Sequence, residues 1–268
     1  MMSVSKQQRV QHDLSVSHNV ATVTLQRPER YNSFNTQMLI SLLHTLRSLE
    51  KDRSVKVIIL TGSGKAFCTG QGLDDEAALQ DDGGRALISL IERGYSRLVA
   101  SIMMSRKVYV AAVNGVTAGA GFGIVCACDF RIVSDTATFT TAFAKIGLVP
   151  DSALSFTLPR IVGHAKAVEL CMLSERIDAR EAQAIGLCTK VVPPAHLIDE
   201  SETLARSIAT GASSLPLIKR ELMLNSMPRI YEALDVELSL QKDAAKSHDF
   251  REGISAFRAK RPAVFTGR

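Results

Sequence analysis

Two short apolar strands, each followed by a glycine-rich loop, restrict the fold of this 268-residue chain more than any other feature. VKVIILT at residues 55–61 runs into a loop at 62–74, and VYVAAV at 108–113 runs into a second loop at 114–123. Apolar runs of this length, bounded by glycine, are typical of strands covered on both faces. A third apolar strand is predicted at 130–133, with helical patterns between the strands. The repeated order indicates an α/β core whose helices cover the sheet faces.

The N-terminal part of the chain is predicted to form a hairpin and a helix. Residues 10–16 and 20–25 alternate apolar and polar side chains around Ser-His-Asn, which predicts a β-hairpin. Asn35 or Thr36 is a candidate cap for a helix, whose apolar stripe is Met38, Leu39, Leu42, Leu43, Leu46 and Leu49.

Beyond residue 197 the pattern is entirely helical. We predict helices at 197–209, 214–226, 228–247 and 251–260. The chain is therefore divided into a core over residues 1–196 and a C-terminal helical region over 197–268, which we expect to form a helical layer or an oligomer interface.

One segment resembles a membrane span, because residues 108–128 contain no charged side chain and are long enough to cross a bilayer. However, Asn114 and four glycines interrupt it, so we predict a buried strand, a glycine-rich turn and a buried helix. Residues 1–9 contain no apolar stretch of the length that a signal peptide needs. We therefore expect a cytoplasmic protein with no membrane segment.

Composition excludes several classes of protein. A hydrophobic content of 46% and a charged content of 22% are those of an ordinary globular chain, not of a disordered, collagen-like or disulfide-scaffold protein. The five cysteines form no CxxC pair and the six histidines are scattered, so we expect reduced thiols and no metal site. The net charge of +5 favours an anionic partner, either a nucleotide-bearing small molecule or RNA.

The glycine-rich loops TGSGKAFCTGQGL (61–73) and NGVTAGAGFG (114–123) are the candidate binding elements. Such loops permit close backbone approach and leave N–H groups free to face an anion. The first is not a P-loop, because Lys65 is followed by Ala66 rather than serine or threonine, and the second lacks the GxGxxG spacing. On these grounds alone, tight turns and an anion-binding site are both open interpretations.

Together with RPERYNS (27–33) and EGISAFRAKR (252–261), these loops resemble those of the crotonase, or enoyl-CoA hydratase/isomerase, superfamily. The match runs from about residue 10 to the C-terminus, with the motifs in the family's order. TAFAKIGLVPDS (141–152) and the pair Gly70-Gln71 are most similar to the branch of 1,2-epoxyphenylacetyl-CoA isomerases, which act in phenylacetate metabolism.

The resemblance implies a spiral core of repeated ββα units with two steeply angled sheets. It also implies a C-terminal helical region that forms a homotrimer, often a dimer of trimers. The ligand would be an acyl-CoA thioester, so that coenzyme A is part of the substrate and no separate cofactor is needed. The N–H groups of Gln71 and Ala120 would hold the thioester oxygen and stabilise an enolate, each contributing about 3 kcal/mol.

The resemblance also bears on the type of reaction. Hydratases of the superfamily use two glutamates, and their positions here hold Gly123 and Phe143, neither of which titrates. Isomerases use a third position for proton transfer, which here holds Asp151. One carboxylate is sufficient to take a proton from one carbon and return it to another. These residues therefore favour an isomerase.

Asp151 is also a candidate for two other roles. The residue precedes a helical pattern that starts at Ala153, so it is also a candidate helix N-cap. The dehalogenase branch of the superfamily uses an aspartate at this position as a nucleophile. Its partner histidine would fall near Ser96, but no histidine lies between His44 and His164, which disfavours dehalogenation.

The resemblance implies further substrate contacts. Arg30 and Lys65 are candidates for the coenzyme A phosphates or adenine, and Phe257 and Lys260 are candidates on the C-terminal helix, across a subunit boundary. Phe122 and Phe143 are either apolar walls of the site or core residues. The remaining predicted contacts are Ala66, Gly72, Leu73, Gly119 and Gly123.

This chain departs from the branch's pattern at three places, and at one of them Val108 replaces the usual proline. Gly72 stands where the branch usually has aspartate, so we expect a looser oxyanion loop. Ala153 and Leu154 replace two glycines, so we expect a reshaped acyl pocket. An acidic cluster follows the first loop and is either a solvated helix start or the source of a second acid; it comprises Asp74, Asp75, Glu76, Asp81 and Asp82.

The sequence as a whole predicts an isomerase that acts through a thioester enolate on an unsaturated or ring-epoxide acyl-CoA. Two alternatives remain. One is an enoyl-CoA hydratase of atypical pattern. The other is a non-catalytic protein that binds acyl-CoA or RNA, although no tract of basic residues with interleaved aromatics supports RNA binding.

Overall fold

Ten strands form two sheets in the computed structural model, which describes residues 11–75, 84–226 and 229–267. Numbered in chain order, the strands are β1 (His12–Ser17), β2 (Val20–Leu25), β3 (Val57–Gly62), β4 (Ala66–Cys68), β5 (Val108–Val113), β6 (Val116–Ala118), β7 (Phe130–Ser134), β8 (Thr138–Thr140), β9 (Ile177–Asp178) and β10 (Lys190–Val192). The larger sheet has the order β1-β2-β3-β5-β7-β10 and the smaller one β4-β6-β8-β9. The predicted α/β class is confirmed.

Helices connect and cover the strands. They are α1 (Thr36–Lys51), α2 (Arg85–Leu90), α3 (Ser96–Met103), α4 (Ala120–Ala127), α5 (Leu154–Val162), α6 (His164–Leu173), α7 (Ala179–Ala184), α8 (Leu197–Ala209), α9 (Leu215–Ser226), α10 (Ile230–Lys246) and α11 (His248–Arg258). A π-helical turn, Ile91–Tyr95, joins α2 to α3. Short 3-10 turns occupy Pro28–Arg30, Ala144–Ile146 and Pro194–His196.

The larger sheet follows the sequence prediction closely. The predicted hairpin is the antiparallel pair β1-β2, and every other pair in this sheet is parallel. Parallel strands are covered by helices on both faces, which explains why β3 and β5 are buried along almost their whole length. The membrane-like segment 108–128 forms the predicted buried strand, β5, and the predicted buried helix, α4, with the short strand β6 in the turn between them. Among the described residues, no helix is long and apolar enough to cross a membrane.

The resemblance implied a second sheet, but the residue pattern did not predict the strands of the smaller sheet. Its strands β4 and β6 are three-residue segments inside the two glycine-rich loops, where the sequence indicated only loop. They pair with each other in parallel, so the two loops are joined by the second sheet. Pairing between segments about 50 residues apart leaves no local periodicity, because each strand is too short to show one.

Helix packing divides the core between the two faces of the larger sheet. The apolar stripe of α1 is buried as predicted, and Asn35 caps this helix by accepting a hydrogen bond from the Met38 N–H at 2.8 Å. On the other face, α8 packs against β2, β3, β5 and β7. The C-terminal helices begin and end within three residues of the predicted bounds. The division at residue 197 stays a prediction, since α8 covers the core sheet itself.

Candidate active site

The two glycine-rich loops come into direct contact, because glycines at the contact leave no side chain between them. Gly70 and Gly119 both have positive φ angles, 80° and 53°. A Cβ atom added to Gly70 would lie 3.0 Å from the Ala120 nitrogen, and one added to Gly119 would lie 4.0 Å from Gly70 Cα. Only glycine combines this backbone conformation with so close an approach. The predicted pair, Gln71 and Ala120, is therefore brought together.

Within the described part of the chain, neither predicted oxyanion donor has a hydrogen-bond acceptor. A bridge to Phe34 fixes the first loop: the Phe34 N–H donates to the Gly70 oxygen and the Gly72 N–H donates to the Phe34 oxygen, each at 2.7 Å. The Gln71 N–H lies between these bonds and has no hydrogen-bond partner among the described residues. Ala120 is the first residue of α4, where N–H groups have no intrahelical acceptor. Two backbone donors and the positive end of a helix are thus available to an anionic oxygen.

Side-chain hydrogen bonds hold the first loop in place. The Tyr95 hydroxyl donates to Gln71 Oε1 at 2.8 Å, and Gln71 Nε2 donates to Asp75 Oδ2 at 3.2 Å. The same Asp75 oxygen accepts the N–H and hydroxyl of Thr36, at 2.8 and 2.9 Å, at the start of α1. These contacts tie the loop to α1 and to the π-helical turn, although Gly72 replaces the usual aspartate.

Tyr95 is a site residue that the sequence analysis missed. It is buried, and burial together with the nearby charges of Cys68, Asp151 and Asp75 raises its pKa. Its position at the end of a π-helical turn was not predictable from a helical periodicity, but such turns are frequent at functional sites. Tyr95 therefore lies close enough to both Gln71 and Asp151 to interact with each.

Asp151 is a buried residue whose carboxyl accepts two hydrogen bonds. Only 5% of the residue is exposed, and its oxygens accept bonds from Ser152 Oγ at 2.8 Å and from Gln241 Nε2 at 3.4 Å. Burial raises the pKa of Asp151 to about 6, although both hydrogen bonds act to lower it. A carboxyl that titrates near neutrality is well suited to accept and return a proton.

The alternative role of Asp151 as a helix N-cap is wrong. Helix α5 begins at Leu154, and the cap position is held by Ala153, whose φ is 58° and whose side chain makes no cap hydrogen bond. The acceptor at this helix end is instead Glu237 of α10, which binds the N–H groups of Ala153 and Ser155. Asp151 is therefore not required to begin the helix.

Glu237 and Gln241 are further residues that the sequence analysis missed. They interrupt the otherwise apolar buried face of α10, whose other buried members are Ile230, Leu234 and Ala245. Burial raises the pKa of Glu237 to about 7, with the charge of Asp151 also acting to raise it. Polar side chains at core positions of an amphipathic helix were the available signal, because buried polar groups need partners.

The two hydratase positions cannot supply carboxylates. A Cβ atom added to Gly123 would lie 2.6 Å from Ser152 Cβ and 2.7 Å from the Ser152 oxygen. The space beside this residue is thus filled by the chain that carries Asp151. Phe143 is nearly buried, and its Cζ atom lies 4.0 Å from a Cβ added to Gly119. Phe143 thus borders the second loop as an apolar wall.

We expect Gly123→Ala to destabilise the protein. In a helix interior this substitution normally stabilises by about 1 kcal/mol, but here the added methyl group would overlap Ser152. Overpacking should reverse the sign and lower the free energy of unfolding by about 1–3 kcal/mol. Denaturant unfolding of the two proteins measures this difference, and a more stable variant would contradict the close contact between α4 and Ser152.

The residues predicted to contact coenzyme A lie in different surroundings. Arg30 forms an ion pair with Asp74 at 3.3 Å, and Lys65 is exposed. The Leu73 oxygen accepts hydrogen bonds from the Arg258 guanidinium at 3.2 and 3.3 Å, which brings the end of α11 to the first loop. Arg258 was not predicted. Two residues near it, Phe257 and Lys260, are exposed, and their contact with the ligand stays a prediction.

Some predicted contacts belong to the core. Phe122 is fully buried and packs against Phe139 with ring centroids 5.3 Å apart, in keeping with its interpretation as a core residue, and its contact with the substrate stays a prediction. Ala66 is also buried, within β4. Ala153 and Leu154 are fully buried in the main core cluster.

The acidic cluster is only partly described. Asp74 pairs with Arg30, and Asp75 binds Thr36 and Gln71; Glu76, Asp81 and Asp82 lie outside the described residues. The five cysteines are all free, and burial raises the pKa of Cys68 to about 12. Over residues 11–75, 84–226 and 229–267, no group of three His, Cys, Asp or Glu side chains is placed to hold a metal ion.

Comparison with known proteins gives consistent matches over nearly the whole chain. The family model for enoyl-CoA hydratase/isomerase matches residues 15–268. A 1,2-epoxyphenylacetyl-CoA isomerase of Escherichia coli K12 is 39% identical over 254 residues, which cover 94% of this chain and 97% of the relative. A probable enoyl-CoA hydratase of Rhodobacter capsulatus is 37% identical over 257 residues, which cover 94% of this chain and 96% of the relative.

A solved structure agrees with these sequence matches. The crystal structure of an enoyl-CoA hydratase from Mycobacterium avium subsp. paratuberculosis K-10 superimposes with a TM-score of 0.87 at 31% identity, covering 96% of this chain and 99% of that one. The relatives thus agree in fold and carry names for different reactions.

Proposed function

Since the chain belongs to the enoyl-CoA hydratase/isomerase family, we propose that it is an acyl-CoA isomerase that acts through a thioester enolate. The observation that carries this proposal is the buried carboxyl of Asp151, whose pKa is raised to about 6. The two positions that hold glutamates in hydratases are occupied by Gly123, which has no space for a side chain, and by Phe143. A reaction that needs one proton carrier fits this site better than one that needs two.

The proposed reaction uses two steps. The thioester oxygen accepts hydrogen bonds from the N–H groups of Gln71 and Ala120, while the Asp151 carboxylate takes a proton from the carbon beside the thioester. The electron pair of the broken C–H bond becomes an enolate, whose charge the two donors stabilise. Asp151 then returns its proton to a different carbon, and the double bond has moved. The substrate class we propose is an unsaturated or ring-epoxide acyl-CoA, as the name of the Escherichia coli relative supports.

Conversion of a 3-enoyl-CoA into its conjugated 2-enoyl isomer tests this proposal, with a ring-epoxide acyl-CoA as a second substrate. We expect the absorbance of the conjugated thioester to appear without an increase in product mass. Addition of water as the main reaction would instead favour the hydratase that the Rhodobacter capsulatus relative's name describes. RNA binding that weakens with salt, in the absence of turnover, would favour a binding protein.

The rate should depend on pH through Asp151. The carboxyl must be ionised to accept a proton, and burial raises its pKa to about 6. We therefore expect kcat/KM to fall about tenfold per pH unit below about pH 6 and to level off above it. Initial rates between about pH 4.5 and 8.5 measure this fall of kcat/KM on the acidic side of the pH profile. A rate that is flat down to about pH 4.5 would show that no group with this raised pKa takes part.

We also propose that the chain forms a homotrimer or a dimer of trimers. Large apolar side chains are exposed on two helices of the C-terminal region, α9 and α10: Leu217, Leu222, Leu224, Val236 and Leu240. A protein interface is the usual cover for such residues when they form a patch. Light scattering coupled to size-exclusion chromatography should give three or six times the subunit mass of 29.1 kDa, and the mass of a single subunit would contradict this assembly.

A further inference from the structure

Helix α10 contacts the turn that carries Asp151 through a buried glutamate. Glu237 Oε2 accepts a hydrogen bond from the Ala153 N–H at 2.9 Å. Glu237 Oε1 accepts bonds from the Ser155 N–H at 3.0 Å and the Ser155 hydroxyl at 2.5 Å. The glutamate is 3% exposed. It therefore satisfies N–H groups at the start of α5 that a capping side chain would otherwise bind.

A second buried side chain of α10 holds the other end of this turn. Gln241 lies four residues after Glu237, so the two residues share one face of the helix. Its Oε1 accepts a bond from the Val149 N–H at 3.1 Å, and its Nε2 donates to Asp151 Oδ2 at 3.4 Å. Gln241 has no exposed surface. The segment from Val149 to Ser155 is thus held at both ends by one helix.

The turn itself has a conformation that requires support. Ser152 and Ala153 have φ angles of 57° and 58°, in the left-handed region that residues other than glycine rarely adopt. Such conformations persist where the surrounding structure determines them, and they are concentrated at functional sites. Both residues are fully buried, and the contacts of Glu237 and Gln241 lie on either side of them. The contacts from α10 therefore support the backbone of the turn that carries the Asp151 side chain.

We propose that Glu237 and Gln241 are positioning residues, which fix the orientation and hydrogen bonding of the Asp151 carboxyl from the C-terminal helical region. The catalytic part of this inference rests on the proposed function. Glu237 is not the proton carrier, because its two oxygens already accept three hydrogen bonds from Ala153 and Ser155. Gln241 cannot titrate. Both side chains act through Asp151.

The Gln241 contact has a defined electrostatic consequence. A hydrogen bond donated to an ionised carboxylate favours the charged form, so Gln241 lowers the pKa of Asp151 against the effect of burial. The other titratable groups whose interactions with Asp151 are described are Glu237 and Tyr95. Removing only the amide of Gln241 should therefore raise the pKa of Asp151, whereas a purely structural contact would leave it unchanged.

The test compares Gln241→Met and Glu237→Gln with two exposed controls on the same helix, Lys242→Met and Glu232→Gln. Methionine has a similar length to glutamine and cannot donate to Asp151. In Gln241→Met we expect kcat for isomerisation to fall about tenfold or more. KM should stay within about twofold, and the acidic limb of the rate profile should move to higher pH. Glu237→Gln should lower kcat in the same way, and the controls should match wild type.

A second readout does not depend on the substrate. NMR titration of the Asp151 carboxyl carbon should show a higher pKa in Gln241→Met than in wild type and in Lys242→Met. An unchanged pKa and an unchanged kcat would overturn the positioning role, and so would a loss confined to KM. If Glu237→Gln fails to fold, Gln241→Met still decides the question. If wild type does not isomerise but the pKa shift is found, the positioning of Asp151 stands and the proposed function fails.

Discussion

Replacing Asp151 with asparagine should lower kcat for isomerisation by at least ~100-fold, the usual contribution of a general acid–base group. The amide keeps the volume of the carboxyl and can still accept a bond from Ser152, which lies 2.8 Å away. What it cannot do is take up the proton that leaves the acyl group. Initial rates with a 3-enoyl-CoA near the plateau of the pH profile measure the loss.

The same variant should be more stable than wild type, which separates a catalytic role from a structural one. Burial raises the pKa of Asp151 from 3.8 to about 6 in the folded state. The unfolded chain therefore releases this proton first, and stability is lost as the pH rises between about 4 and 6. Above this pH window, the buried charge of Asp151 lowers the free energy of unfolding by about 3 kcal/mol at most. Asp151→Asn avoids this cost but loses part of the bonding to Gln241.

In denaturant unfolding, the free energy of unfolding of Asp151→Asn should therefore exceed that of wild type by about 1–3 kcal/mol at about pH 8. At about pH 4 the two proteins should be almost equally stable. The matched control is Asp135→Asn, which changes an exposed carboxyl and should alter neither activity nor stability. Equal turnover by wild type and Asp151→Asn would show that the proton carrier is another group.

The second large effect is expected for Ala120→Pro, which removes one of the two proposed oxyanion donors, the Ala120 N–H. Proline has no N–H, and the first position of a helix is where it is best tolerated. Ala120 holds that position in α4. Loss of one donor to a developing oxyanion should lower kcat by about 100- to 1000-fold.

His164→Pro is the matched control for this substitution. His164 is exposed and begins α6, and it also follows a glycine with a positive φ angle. We expect this variant to keep wild-type kcat and a wild-type thermal transition. Ala120→Pro should also keep its thermal transition, so that the loss of activity is assigned to the donor. A folded Ala120→Pro with wild-type kcat would exclude the Ala120 N–H from the oxyanion site.

Local pattern was sufficient for much of the fold. The stripe on α1, the apolar strands β3 and β5 and the four C-terminal helices were predicted within a few residues, because their periodicity reflects which side chains are buried. The glycine-rich loops were recognised for a related reason. At Gly70 the structure combines a positive φ angle with a close backbone approach, and only glycine permits both.

The surroundings of Asp151 could not be predicted in the same way. Its partner Gln241 lies 90 residues later in the chain, and Tyr95 lies on a π-helical turn before it. The interpretation of Asp151 as a helix cap was reasonable from its neighbours alone. It failed because Glu237, on a distant helix, supplies the acceptor instead. The packing of Phe122 against Phe139 could not be predicted for the same reason, because the two side chains meet only in the folded chain.

The amino-acid sequence alone was sufficient for the α/β class, for the position of the main strands and helices, and for choosing Gln71, Ala120 and Asp151 as the candidate site residues. These follow from periodicity, from glycine's conformational freedom and from the family's motifs. Three features became visible only in the folded chain: the two N–H groups have no partner within the described residues, Ser152 fills the space beside Gly123, and α10 holds the Asp151 turn. The physical reason is that burial and hydrogen bonding depend on contacts between distant segments, which no local pattern contains.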